Sequence, residues 1–449
     1  MDKNLEQTLA EASSNGISNT PGNELRVQVI QNEDDFHALE EEWKHLTDNA
    51  DYSIFQTFEW NKIWWKHFGS GKKLHIIAFY NEAGQLLAII PFFWDTITVF
   101  NKEVYSCLRF IGSSVSQPDG ENLKGLHPYS DYLNFIIKTG YELVVIDSLL
   151  DYLENVQECD EILLDEIPET SRILNVFISE LHKRELNFTI KKSSKCPVIK
   201  LNGSWEEYQD SLSKKSRYNN NRALRMIDED SEKGFHLDEA GNSCELEEIF
   251  GLLVDLHQKR WNQIGFPGVF GEKRMLEFQR EIMHVFFKKG WVQLKKAAPV
   301  KDPGKAIAVD LMFRYKKHIY MVHRALDQES PFSKAGPGNI LLSSIVKEAA
   351  DEGFEIVDFL RGTEPFKFRT ANAVHQNLRL VIKTSSLRKS LRNSLLKAYV
   401  VSKRRVEVEK KQLILFRNGK TLTNGLKGYL NFLYSRIRYK MKERKQGEL

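Results

Sequence analysis

Lys367, Asp358, Glu364, His257 and His323 are the side chains whose types and settings suit proton transfer and charge stabilisation. Such groups can take a proton from a reacting hydroxyl or amine and stabilise negative charge as it develops on an oxygen. Lys367 lies just past the apolar run 355–360, where a cation can meet an oxyanion or a phosphate. Asp358 stands toward the C-terminal end of that run, where open α/β sheets bind ligands. Glu364 is near enough in sequence simply to pair with Lys367. His257 falls in the block His257-Gln258-Lys259-Arg260-Trp261 and His323 in a hairpin strand. Each is a candidate base, although a lone helical histidine is more often a packing or capping residue. No Gly-x-Ser-x-Gly or Cys-His signature is present, so the sequence offers no evident covalent nucleophile.

The elements that must position these groups lie in one stretch, Ser330 to Thr370. Pro331, Gly336, Pro337 and Gly338 make a loop. Ile340, Leu341, Leu342, Ile345, Val346 and Ala349 then recur at helical spacing, and Gly353 ends that helix before the apolar run. Unpaired N–H groups and the positive end of the helix dipole favour an anion at such a helix start, and Lys334 adds a cation. The alternative is a junction whose glycines serve only the turn. Two strands, AIAVDLMFRY and HIYMVHRALD, joined at Lys316-Lys317, precede the loop.

Strand, strand, loop, helix, strand is an order that resembles the GNAT acyltransferase fold. Three blocks, SPFSKAGPGNILL, EGFEIVDFLRGTEPFK and the upstream FQTFEWNKIWWKHFG, resemble one branch more closely, the CelD/FemAB-like acetyltransferases. The resemblance spans roughly residues 25 to 385. It implies that the backbone of Lys334, Ala335, Gly336, Pro337, Gly338 and Asn339 holds the pyrophosphate of coenzyme A. It also implies that Met321, Val322 and His323 lie along the pantetheine near the thioester. Lys367 matches the family's Tyr/Phe-Lys pair, and His257 its His-x-x-x-Trp pattern. Acetyl-CoA or another acyl-CoA is the implied co-substrate, with no permanently bound cofactor, and envelope or exopolysaccharide biosynthesis is the implied setting. An aminoacyl-tRNA-dependent FemAB-type transferase and a non-catalytic binding protein are the alternatives.

The same order of elements occurs twice, so the expected architecture is α/β (α+β), a tandem duplication of GNAT-like units. A disordered leader is expected over 1–24, a first, degenerate unit over 25–195, a second, catalytic unit over 196–385 and a basic amphipathic tail over 386–449. A linker is expected at about 191–203, and Ser204 to Asp230 reads as one basic amphipathic helix. The first unit has a longer loop, 112–125, in place of the compact glycine turn. Tyr129-Ser130-Asp131-Tyr132 resembles a family block bordering the acceptor cleft, or else is a polar turn.

Composition narrows the remaining classes. Cys107, Cys159, Cys196 and Cys244 are scattered without metal-type spacing, so neither a metal site nor a disulfide framework is expected. No apolar run is long enough to span a membrane, and residues 1–24 carry no secretory pattern, so a cytoplasmic protein is expected. The net charge of +3 hides an asymmetry: residues 386–449 hold 18 Lys or Arg against four acidic residues, leaving 46 against 57 in the body. Leu387, Leu391, Leu395 and Tyr399 recur among cations in that tail. It therefore reads as an interfacial helix for an anionic membrane, or as a strap on the acidic body. No recognition motif accompanies the cations, which argues against nucleic acid.

Overall fold

The computed structural model describes residues 25–383 apart from residues 49, 51, 100–101, 114–129, 157–158, 202, 228–232, 264, 266–267 and 363. The expected leader, the basic tail and most of loop 112–125 lie outside the described residues.

The first half opens with β1 (Arg26–Ile30), α1 (Glu33–Ala38) and α2 (Glu40–Asp48). Asn32 caps α1 by accepting from the Asp35 N–H, and Leu39 separates α1 from α2. In α3 (Phe58–Phe68) the Thr57 side chain accepts from the Trp60 N–H, and Phe58, Trp60, Trp64, Trp65 and Phe68 are all buried. There follow β2 (Lys73–Tyr80), β3 (Leu86–Val99), β4 (Lys102–Phe110), β5 (Ile136–Ile137), α4 (Glu142–Glu154), β6 (Glu161–Pro168), α5 (Arg172–Lys183) and β7 (Phe188–Lys200).

In place of the one helix expected over 204–230, the described residues 204–227 form two, α6 (Trp205–Ser211) and α7 (Lys214–Arg225). The chain turns at Leu212, and Ser213 caps the second helix on the Ser216 N–H. The second half continues as β8 (Phe235–Glu239), α8 (Ser243–Gln263), α9 (Lys273–Lys288), β9 (Val292–Pro299), β10 (Ala308–Tyr315), β11 (His318–Leu326), α10 (Pro337–Asp351), β12 (Ile356–Asp358), α11 (Pro365–Thr370) and β13 (Ala373–Lys383).

All strands join one sheet in the order β1-β2-β3-β4-β6-β13-β7-β12-β11-β10-β9-β8, with β5 pairing β3 off that path. From each edge inward the pattern is the same: four antiparallel strands, then a parallel pair, β4 with β6 in the first half and β11 with β12 in the second. This is a tandem mixed α/β fold.

At the centre the two halves exchange strands. The first half's β7 pairs antiparallel with β12, the second half's β13 pairs with β6, and β7 and β13 pair with each other from Ala373↔Val198 to Ile382↔Phe188. The expected linker at 191–203 is thus largely strand. Lys191, Lys192, Ser193, Ser194 and Lys195 show no apolar alternation in sequence; pairing with β13 supplies what local pattern does not.

The core crosses the halves as well. Trp60 of α3 packs edge-on against Phe278 of α9 at 5.3 Å and Phe313 of β10 at 6.0 Å between ring centroids. Burial of each such ring contributes about 1.5–3 kcal/mol, so neither half keeps its stability without the other. No helix among the described residues is long and apolar enough to cross a membrane.

Candidate active site

The parallel pair β11/β12 is short. Only His318, Ile319 and Tyr320 register with Ile356, Val357 and Asp358; β11 then runs on to Leu326 while β12 turns away at Leu360, whose φ is 55°. A wedge opens between the strands. On the β10 side the register slips between Leu311 and Met312, leaving Val322 as a bulge. Val322 and His323 consequently face the same side of the sheet, toward α8 and α9, where regular alternation would have separated them.

The glycine-rich loop lies beyond the end of β11. A one-turn 3-10 segment, Ser333–Ala335, carries the exposed Lys334 and leads into Gly336, whose φ of 82° lies in the left-handed region that favours glycine. Pro337 starts α10, and no side chain caps that helix start. At Gly338 a Cβ would stand 3.1 Å from Leu326 Cδ2, so the loop is packed directly on the end of β11. A helix start without a side-chain cap, with a cation beside it and an open wedge behind it, fits an anion-bearing ligand extending between the strands.

The first unit differs in part. Its parallel pairing also covers three residues, joining the C-terminal part of β4, Cys107 to Arg109, to the beginning of β6, and most of the loop after β4 lies outside the described residues. A helix does follow, α4, which the sequence analysis did not anticipate. Its N-cap, Tyr141, likewise makes no side-chain cap, but Glu142 stands in its first turn and accepts from the Gly140 N–H at 2.8 Å, and a carboxylate there disfavours a second anion.

On one lip of the wedge the two histidines come together. His257 of α8 and His323 of β11 both pack on Phe270, at 4.8 and 4.9 Å between centroids, and lie 6.3 Å from each other. Gln279 of α9 meets His323 Nε2 at 3.3 Å. Burial pushes His257 down to about 4 and His323 to about 3, so both rings are neutral at neutral pH and weak as bases.

On the other lip, residues from both halves form a buried polar network. Tyr132 donates from its hydroxyl to Asp358 Oδ2 at 2.6 Å, and the Leu360 N–H donates to Asp358 Oδ1 at 2.7 Å. Burial is the main cause that raises the Asp358 carboxyl to about 7; these two donors oppose it and the neighbouring Asp131 adds to it. Arg361 reaches into the first half, donating from Nε to Asp131 at 2.6 Å and to the Ser130 carbonyl, with Glu166 Oε1 at 3.5 Å. Ser130 in turn accepts from Trp60 Nε1 at 2.7 Å. Lys367, on α11, donates to the Arg361 carbonyl at 2.8 Å, with Glu364 Oε2 at 3.3 Å.

The sequence-predicted residues therefore fall into three groups around one opening: the loop 334–339 at its end, Met321, Val322, His323 and His257 on one lip, and Asp358, Glu364 and Lys367 on the other. Sequence reasoning did not single out Arg361, Glu166 or Gln279, whose partners lie on distant elements. Tyr132 was singled out only as part of a block.

Residues 214–368 match the acetyltransferase (GNAT) domain family. No curated protein matches the chain significantly. Among solved structures, the chain is similar to FemX, with a TM-score of 0.52 and 11% identity over 77% of this chain and 96% of that one. It is also similar to L-PGS from Bacillus licheniformis, with a TM-score of 0.44 and 11% identity over 80% and 96%. A tandem GNAT protein from the clavulanic acid biosynthesis pathway aligns with a TM-score of 0.38 and 8% identity over 81% and 99%. At these identities the FemX likeness speaks for the fold alone. The family match falls on the unit that has the wedge and the uncapped glycine loop, so the chain carries a GNAT-type acyltransferase domain in its second half.

Proposed function

We propose that this protein transfers an acyl group, acetyl in the first instance, from acyl-CoA to an amine or hydroxyl of a cell-envelope or polysaccharide precursor. The observation that carries the reading is the contrast between the units. The second has an open strand wedge ending in a glycine-lined helix start with no acid in its first turn; the first unit's helix carries Glu142 in its first turn.

In this reading the loop 334–339 receives the donor's pyrophosphate through backbone N–H groups. The pantetheine lies in the wedge beside Met321, Val322 and His323. Lys367 supplies positive charge at the other lip, against the developing oxyanion or a phosphate. The first unit closes the acceptor side through Asp131 and Tyr132. The envelope setting rests on the CelD-like blocks and on the basic stripe of residues 386–449, which would hold the protein peripherally on the anionic cytoplasmic leaflet near a lipid-linked or membrane-proximal acceptor.

Isothermal calorimetry with coenzyme A and acetyl-CoA tests the reading. Micromolar binding supports it, and a folded protein that binds no acyl-CoA overturns it. An aminoacyl-tRNA donor is the second reading. It draws on the FemX-like fold and on α7, which exposes Lys214, Lys215, Arg222 and Arg225 around Tyr218, itself 63% exposed. Salt-sensitive binding of charged tRNA in place of acetyl-CoA would favour it.

A further inference from the structure

We propose that Tyr132 and Asp358 work as one proton-handling pair, in which the Tyr132 hydroxyl, supplied by the first unit, relays the acceptor's proton to the Asp358 carboxylate of the second. The inference rests on the acyl-transfer reading above and adds to it a residue from the first unit.

Geometry leads to the pair. Asp358 is 1% exposed and has both carboxylate oxygens engaged, Oδ1 by the Leu360 N–H and Oδ2 by the Tyr132 hydroxyl. Within this hydrogen-bonded arrangement a proton reaches Asp358 Oδ2 by way of the Tyr132 hydroxyl. Tyr132 is itself held in an uncommon backbone conformation, with φ of 56°. A left-handed tyrosine is strained, and the surrounding contacts must offset that strain. Those contacts fix it on both sides: the preceding Asp131 is clamped by Arg361, and its own carbonyl accepts from Ser53 Oγ at 3.4 Å.

Several charged and titratable groups surround the pair. Asp131 and Tyr132 come from the first unit, Glu166 from β6, Cys196 from β7, His375 from β13, His318 and Tyr320 from β11, Arg361 from the turn after β12, and Lys367 from α11. Of these, Lys367 draws the Asp358 carboxyl down and Asp131 pushes it up, while burial outweighs both and leaves it near 7. His257 and His323 on the opposite lip are held too far down to compete as bases near neutral pH.

The step balances without any further reagent. The acceptor nitrogen or oxygen bonds to the thioester carbonyl carbon. Its proton passes to the Tyr132 oxygen as the Tyr132 proton passes to Asp358 Oδ2. The carbon–sulfur bond then breaks and the thiolate leaves. The same pair returns the proton to the thiolate, giving the free thiol and restoring the Asp358 carboxylate.

The full-length protein is assayed for thiol release from acetyl-CoA with water as acceptor, between about pH 5.5 and pH 9, alongside calorimetric acetyl-CoA affinity. The wild type should show an acid limb near neutrality. Tyr132→Phe should lower the rate by about 10²-fold and move the limb upward, because the carboxylate loses a donor that stabilises its charge. Asp358→Asn should lose the limb, and both variants should bind acetyl-CoA as the wild type does. Wild-type binding with an unchanged rate and limb in Tyr132→Phe overturns the pair and leaves the acyltransferase reading standing; no binding by the wild type removes that reading instead. Should Tyr132→Phe fail to fold, ¹³C NMR of the aspartate carboxyls decides. A carboxyl titrating near neutrality that disappears in Asp358→Asn supports the pair, and an Asp358 that titrates in the usual carboxylate range overturns it.

Discussion

Arg361, which follows the last strand of the parallel pair in the second unit, donates from Nε to Asp131 of the first unit at 2.6 Å across 230 positions of sequence. The guanidinium also meets the Ser130 carbonyl and Glu166. Asp131 and Glu166 are 4% and 6% exposed, so they depend on this one cation for much of their charge compensation. Arg361→Ala should cost about 3–5 kcal/mol, the range for breaking a buried pair by removing one partner, as read from denaturant unfolding. A loss below about 1 kcal/mol would mean that solvent reaches the carboxylates and that the units are not coupled here.

Gly336 and Gly338 should respond to substitution for different reasons. Valine at 336 is strained by the left-handed backbone, and valine at 338 drives into Leu326 at the end of β11. Each change should weaken coenzyme A binding by at least about tenfold in calorimetry, equivalent to about 1.4 kcal/mol. Unaltered affinity in folded variants would move the pyrophosphate away from this loop.

Lys367→Ala should reduce turnover by about 10²-fold, the usual scale for losing one oxyanion-stabilising group, with donor affinity retained. Its ammonium also holds the Arg361 carbonyl, so unfolding is followed in parallel and a modest stability loss of about 1–2 kcal/mol is expected. Full turnover in the variant excludes Lys367 from the chemistry.

Stability should depend on pH with opposite signs at two sites. His75, His257 and His323 are held by burial below the ordinary imidazole value, at about 4, 4 and 3. Their contribution is present above about pH 6.5 and is lost as pH falls toward these values, because the unfolded chain takes up protons first. Asp358 is raised to about 7, so its protonated form is the one the fold favours; that contribution is lost as pH rises through 7. Melting temperature should therefore drop between neutral and mildly acidic pH, and less so in His323→Gln. Asp358→Asn should compare better with the wild type on the alkaline side than on the acid side, by at most about 1.4 kcal/mol per pH unit. The reverse order for Asp358→Asn would show that its carboxyl is not raised.

Residues 386–449 give a prediction independent of the site. The intact chain should cosediment with vesicles containing anionic lipid, salt should weaken the binding, and a chain ending at Thr384 should remain folded and unbound. A truncated chain that unfolds would make the tail part of the core. One that still binds would place the membrane contact elsewhere.

Local pattern determined much of this molecule. The periodicity of 340–349 between Gly336 and Gly353 dictates a helix with a glycine-lined start. The run 355–360 dictates a short buried strand, and the double occurrence of helix, helix, hairpin dictates two similar units. Each of these depends on neighbours a few residues apart, which sequence spacing records. The strand exchange of β7 and β13 was not legible, since its lysines and serines are held by partners some 180 residues away and carry no alternation of their own. Nor were the roles of the titratable groups. Only the folded chain decides that His257 and His323 share one buried contact with Phe270, or that Glu142 stands in the first turn of α4. The same holds for Asp358, which meets Tyr132 across 226 positions. Charge and proton affinity depend on burial and on distances through space, and these are fixed when the sheet closes.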